Sequence, residues 1–140
     1  MPDINISDVN TQVDDLLFLA AVLRFGFGID PERTTSKIAK RWTASGGNIG
    51  SVNAFVSLPA MVGHIPSGVY GYSVSDHSLA RVSQELISAT DIVIAASADL
   101  RKIVSKYGTF GLRIAIMDAG CALSTVSYTH LRAHETVLDL

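Results

Sequence analysis

The sequence predicts an α/β fold in which an open, mostly parallel sheet is flanked by helices. Two apolar, β-branched runs, residues 91–96 and 112–117, are typical of strands that are buried on both faces. The segment between them, residues 98–107, has the composition of a helix. A strand, a helix and a strand joined by short connections form a parallel unit with a right-handed crossover.

The N-terminal part of the chain adds further elements to this unit. Residues 4–6 predict a short first strand, and residues 16–25 predict a buried helix that ends at two glycines. Pro31 suits the first turn of a second helix over residues 30–42. Residues 43–48 follow as a loop, where two glycines allow a sharp turn or a close approach to a ligand.

The sequence pattern that predicts secondary structure is weaker between this loop and the parallel unit. Residues 51–61 are mixed and allow no assignment, and residues 63–71 are rich in turn formers. Asp76 or Ser78 is a candidate cap for a helix that ends near Ser88. His64 and His77 are expected in loops or as caps.

Composition excludes several classes of protein. The chain has 140 residues, a formal net charge of -2 and 48% hydrophobic residues, which fits a globular protein with no electrostatic case for binding nucleic acid or an acidic membrane. One cysteine, Cys121, is expected to be a buried small residue, and it fits a reducing compartment. No basic segment precedes an apolar stretch near the start, and residues 16–23 are too short to span a bilayer. We therefore expect a cytoplasmic protein.

An acidic segment lies between the predicted first strand and the first helix. Three carboxylates and the carboxamide of Asn10 fall within eight residues: Asp8, Asn10, Asp14 and Asp15. Carboxylates this close repel one another, so a fold that gathers them usually does so around a cation or a polar substrate. The alternative is a solvated helix N-terminus, where carboxylates interact favourably with the helix dipole.

The C-terminal residues are interpreted separately. Residues 126–136 match the translation of a sequencing adapter, so we expect residues 125–140 to be a non-native read-through tail. His130 and His134, which have the spacing of a helical metal site, are then not functional. Residues 1–124 would form an incomplete domain of a longer protein.

The acidic segment resembles the opening motif of the nucleoside hydrolases, N-ribohydrolases that cleave the bond between a ribose and its base. That motif, D-x-D-x-x-x-D-D before an apolar helix, is matched by Asp8, Asn10, Asp14 and Asp15. The family's T-x-x-G-N signature is similar to residues 43–48, which carry one extra residue. Its later R-I-V-x-M-G-G segment is similar to residues 113–119.

The resemblance implies a Rossmann-like α/β fold, Ca²⁺ as cofactor and a small-molecule ribonucleoside as substrate. A calcium-bound water would attack the ribose carbon of the N-glycosidic bond, and all-oxygen coordination suits this ion. The implied metal ligands are Asp8, Asn10, Asp15 and the backbone carbonyl of Ala96. The implied substrate contacts are Asp14 and Asn48, and Asn10 stands where the family has its general base.

The departures from the family pattern affect the expected activity. Asn10 offers an oxygen to a metal but cannot take a proton from water. The family's leaving-group acid and last metal carboxylate would lie beyond residue 124, so we expect this chain to be inactive. We expect its parent to be a homo-oligomer and a diverged or inactive member of the family. The alternative is a non-catalytic α/β ligand-binding or regulatory domain with a degenerate pocket. A third alternative, a fold like that of the low-molecular-weight phosphatases, has the least support. The loop after the first strand lacks the cysteine and arginine that such a phosphatase needs.

Overall fold

The computed structural model describes the backbone of residues 6–138 and the side chains of residues 14–128. The described helices are α1 (Ile6–Phe27), α2 (Leu100–Tyr107) and α3 (Gly111–Leu138), with short 3-10 helices at Gly46–Asn48 and Gly108–Phe110. The described strands are β1 (Val52–Leu58), β2 (Gly68–Ser73), β3 (Ser78–Ser83) and β4 (Val93–Ala98).

The four strands form one sheet in the order β3-β2-β1-β4, and every neighbouring pair is antiparallel. Val56 on β1 lies opposite Tyr70 on β2 and opposite Ile94 on β4. The predicted mostly parallel, Rossmann-like sheet is therefore wrong. The chain forms a helix, α3, at residues 112–117, where the second parallel strand was expected. No strand-helix-strand crossover forms there.

The core lies between the helices and one face of β1. Alternate residues of β1 point to this face, and Val56 and Leu58 are completely buried there. Phe27, at the end of α1, is also completely buried, and Ala122 of α3 joins the same cluster. Helices α1 and α3 pack on each other and on β1. The domain consequently has two layers, helices on one side and the antiparallel sheet on the other.

Residues 112–117 belong to a longer segment whose buried positions repeat with a helical period. Gly111, Ile114, Ala115, Asp118 and Ala122 are buried, whereas the residues between them are mostly exposed. A spacing of three to four residues places these side chains on one face of a helix. A six-residue apolar window does not contain enough of this period to separate a strand from a helix.

The predicted helix over residues 30–42 is wrong. The Asp30 carboxylate accepts hydrogen bonds from the backbone amides of Glu32 (3.0 Å) and Arg33 (3.4 Å), and it pairs with the Arg33 side chain. The hydrogen bond from Arg33 lowers the pKa of Asp30. Trp42 returns beside α1, where its backbone amide donates to the Gly28 carbonyl (3.3 Å). Side-chain hydrogen bonds to the local backbone thus hold a turn in place of a helix.

Two further predictions of local structure are corrected. Residues 78–83 form the edge strand β3 and not a helix, although His64 and His77 do lie in turns as expected. The predicted first strand is not found at Ile6, where α1 begins, and residues 4–5 lie outside the described residues. Residues 6–15 contain no glycine or proline to interrupt a helix, so the acidic segment is continuous with the helix that follows it.

One described helical run has the length and composition of a membrane span. It extends from Leu100 to Tyr128, 29 residues, and includes α2 and most of the described part of α3. This run packs against α1 and β4, and Ile103 and Ala115 on its inner side are buried. Core helices of small domains meet the same criteria of length and apolarity. The structure is thus a small domain that contains one moderately apolar helix.

Shortening Leu58 to alanine tests the position of the core. Leu58 is completely buried, so Leu58→Ala should lower the free energy of unfolding by about 2–5 kcal/mol, because it removes apolar contacts and leaves a cavity. Leu112→Ala is the matched control, since Leu112 is 54% exposed and its loss should change stability by no more than about 0.5 kcal/mol. Urea unfolding followed by circular dichroism measures the free energy of unfolding of both variants. Equal losses of stability would contradict the buried position of Leu58 in the core.

Candidate ligand site

The structure distributes the sequence-predicted site residues over three elements. Asp8, Asn10, Asp14 and Asp15 lie in α1, Asn48 ends the short 3-10 helix, and Ala96 lies opposite Ala54 in β4. Asp14 and Asp15 are exposed, and the side chains of Asp8 and Asn10 are outside the described part of the chain. The roles assigned to these residues stay predictions.

The calcium prediction is wrong. Within residues whose side chains are described, no group of three or more histidine, cysteine, aspartate or glutamate side chains could hold a metal ion. The prediction placed the acidic segment between a strand and a helix, whereas its backbone is part of α1.

The glycine-containing loop, residues 43–50, is held against α3 by Asp118. The Gly46 amide donates to both Asp118 oxygens (2.9 and 3.0 Å), and the Ser45 hydroxyl donates to Oδ2 (3.2 Å). The Ser45 hydroxyl also accepts a hydrogen bond from the Gly50 amide (2.9 Å), which closes the loop on itself. A Cβ atom at Gly46 would collide with Ile114, so only glycine permits this close approach.

The backbone of this loop is left-handed at its tip. Gly47 and Asn48 have φ values of 59° and 57°, a region that glycine and asparagine tolerate better than most residues. The Asn48 side chain donates a hydrogen bond to the Ala39 carbonyl (2.9 Å) and so ties the tip to the preceding segment. A side chain at Gly47 would meet the Lys106 ammonium and the Tyr107 hydroxyl, which lie over the tip.

Arg41 lies beneath the loop as a half-buried cation. Its guanidinium donates to the carbonyl oxygens of Gly50 (2.7 Å) and Val52. Burial lowers the pKa of Arg41, and the charges of Tyr72 and Asp118 act in the opposite direction. Among the described residues no carboxylate forms a salt bridge with Arg41. Carbonyl dipoles and the nearby Asp118 carboxylate offset part of its charge.

A cavity of about 320 Å³ opens beside Arg41 and the loop. Lys37, Arg41 and Asn48 supply its polar lining, isoleucine side chains supply most of the apolar lining, and no carboxylate borders it. Two cations in the lining suit an anionic oxygen group such as phosphate. Trp42 Nε1 and Ser51 Oγ are buried polar atoms without a partner in the described part of the chain, but neither residue lines this cavity.

Sequence reasoning singled out Asn48 and the glycines of this loop but missed Lys37, Arg41 and the role of Asp118. Asp118 was expected at the end of a strand. Its helical spacing from Ile114 and Ala122 was the signal that would have placed it on the buried face of α3. Cys121 is exposed next to that face, so the expectation that it is buried is also wrong.

Removing the Asp118 carboxylate should loosen the loop. Asp118→Ala leaves the Gly46 amide without its acceptor, so we expect the free energy of unfolding to fall by about 1–3 kcal/mol. Asp118→Asn keeps one acceptor oxygen and should recover part of the loss. Asp14→Ala, at an exposed position on α1, is the control and should stay within about 0.5 kcal/mol of the parent chain. An Asp118→Ala variant as stable as the parent would contradict the anchoring role.

Comparison with known proteins gives one informative result. No family model and no curated protein matches the chain. Among solved structures, it is similar to a candidate nitroreductase from Anabaena variabilis, with a TM-score of 0.74 and 18% sequence identity. The match covers 92% of this chain and 28% of that chain, so this chain spans little more than a quarter of its structural relative.

This likeness corrects the family expected from the sequence. The nucleoside hydrolase resemblance is wrong, because the antiparallel sheet with helices packed on it matches the nitroreductase-like structure. The predicted N-ribohydrolase activity loses its basis, and the alternative of a non-catalytic α/β binding or regulatory domain is not supported either. The chain has the fold of one part of that nitroreductase-like protein.

Proposed function

We propose that this chain is part of a flavin-dependent oxidoreductase of the nitroreductase type, with FMN as its cofactor. The fold of its structural relative suggests this class, and proteins of that kind typically use FMN. The observation that carries the proposal in this chain is the cationic cavity beside the glycine loop, which suits the phosphate of such a cofactor. Because the chain matches little more than a quarter of that relative, the activity is proposed for the whole protein.

The chemistry of the available donors fits a flavin mononucleotide. Lys37 and Arg41 would hold the phosphate through charge-assisted hydrogen bonds, and Asn48 borders the same cavity.

When bound, FMN supplies hydride and electron transfer, the chemistry by which a nitro group is reduced. The residues of this chain bind and orient the cofactor. Asp118 fixes the loop against α3, so the backbone beneath the ligand is rigid before the ligand arrives. Ile29, Ile38 and Ile49 supply apolar lining to the same cavity.

Several sequence-based expectations remain proposals. We propose a cytoplasmic protein whose partner is a small molecule and not nucleic acid or a membrane, with a homo-oligomeric parent. A ribonucleoside as that small molecule loses its support together with the nucleoside hydrolase resemblance. Residues 125–140 remain interpreted as a non-native tail.

Binding of FMN by the purified chain tests the proposal. Saturable quenching of FMN fluorescence is expected, and riboflavin, which lacks the phosphate, should bind more weakly. Lys37→Glu should weaken FMN binding roughly tenfold or more, because it replaces a charge-assisted contact by repulsion.

The control reverses the same charge elsewhere. Lys102 is an exposed residue of α2 and does not border the cavity, so Lys102→Glu gives the same net charge and should leave FMN affinity unchanged. The absence of saturable FMN binding, equal affinities for FMN and riboflavin, or equal losses in the two lysine variants would each overturn the proposal.

A further inference from the structure

The segment before the glycine loop, residues 29–41, is a loop whose two ends meet. Ile29 and Arg41 form an antiparallel bridge, which closes the loop at its base. Compact surface loops with adjacent ends are frequently functional. This loop contributes Lys37 and Arg41, the two cationic side chains in the described lining of the cavity beside the glycine loop.

Arg33 connects the two arms of this loop through its guanidinium group. On the first arm, its Nε donates a hydrogen bond to a carboxylate oxygen of Asp30. On the second arm, its Nη2 donates to the carbonyl oxygen of Arg41 (2.8 Å) and lies 3.4 Å from that of Trp42. The planar fork of an arginine suits this arrangement, because its donors point in fixed directions toward two acceptors at once.

Asp30 fixes the direction of the Arg33 side chain. The Asp30 side chain is only 5% exposed, and its other oxygen accepts hydrogen bonds from the backbone amides of Glu32 (3.0 Å) and Arg33 (3.4 Å). A carboxylate that is buried and accepts several hydrogen bonds is held rigidly. The Arg33 side chain, although 56% exposed, is therefore tied to the loop.

Thr34 makes a second connection between the arms. Its hydroxyl oxygen accepts a hydrogen bond from the Lys40 amide (3.0 Å). At the tip, the Thr35 amide donates to the Ile38 carbonyl (2.9 Å), and Lys37 lies within the turn that this bond closes. The position of Lys37 at the cavity consequently depends on the connections that hold the two arms together.

We propose that Arg33 is a positioning residue of the anion site: by holding the two arms of the loop together, it places Lys37 at the cavity beside Arg41. This inference rests on the phosphate site of the proposed function and adds to it a residue that does not border the cavity. Arg33 acts on the anion through Lys37. Its effect on affinity comes from the fraction of molecules in which Lys37 lies at the cavity.

Titration with inorganic phosphate at constant ionic strength, followed by the amide NMR signals of Asn48 and Gly50, measures this site without a flavin. Arg33→Gln removes the connection between the arms, so phosphate affinity should fall about threefold, in proportion to the competent fraction. The loss should not exceed that of Lys37→Met, which removes the cation altogether. Thr34→Val removes the second connection without a change of charge and should lower the affinity in the same direction.

A double variant separates positioning from charge. In the Lys37→Met background, Arg33→Gln should cause no further loss of phosphate affinity, because the side chain that Arg33 positions no longer carries a charge. If Arg33 acted by its own charge, or by a general loss of stability, the same factor would recur in both backgrounds.

Arg81 provides the matched control. Like Arg33 it is exposed and donates from Nη2 to a backbone carbonyl, that of Ser67 (2.8 Å), but it lies on β3 and does not border the cavity. Arg81→Gln removes the same charge and the same kind of hydrogen bond, and it should leave phosphate affinity unchanged.

The proposal is overturned if the unmodified chain does not bind phosphate, if Arg33→Gln and Thr34→Val keep its affinity, or if Arg81→Gln loses as much as Arg33→Gln. Circular dichroism shows whether each variant is folded, and Thr34→Val carries the test if Arg33→Gln does not fold. FMN binding with unchanged phosphate affinity in the loop variants would contradict this proposal alone. The expected losses of phosphate affinity without saturable FMN binding would contradict the flavin assignment alone.

Discussion

Burial of one face of β1 under two helices is the constraint on which the rest of the structure depends. Val56 and Leu58 have no exposed surface, and Phe27 at the end of α1 and Ala122 in α3 complete the same cluster. Because side chains alternate along a strand, a register error of one residue would turn these apolar groups away from the helices. This burial therefore determines which residues of β1 face inward and where its neighbours pair.

The candidate site and a second, apolar cavity follow from that arrangement. The glycine loop leads directly into β1, and Asp118 of α3 holds it at Ser45 and Gly46. The hairpin of β2 and β3 extends the sheet beside α1, which leaves the apolar cavity beneath Tyr72. Asp118 on α3 holds the loop through hydrogen bonds to Ser45 and Gly46, and Tyr72 on β2 is hydrogen-bonded to the His77 ring. Such preorganisation reduces the entropy lost when a ligand binds.

Much of the local structure was predictable, because its signals lie within short windows. Residues 16–25 lie inside α1, residues 98–107 overlap α2, and residues 91–96 overlap β4. Residues 112–117 were assigned to a strand, although their burial repeats every three to four residues in α3. That one error produced the parallel sheet, since an apolar run of six residues fits a buried strand and a buried helix equally well.

By itself, the sequence determined the helical and extended propensities of several segments, a loop rich in glycine and a charge balance close to neutral. Tertiary structure decided the antiparallel pairing and the anchoring of Ser45 and Gly46 by Asp118 across more than seventy residues. It also decided that the backbone of the acidic segment is part of a helix. Local preference acts between residues a few positions apart, whereas these contacts exist only after the apolar face of β1 is buried.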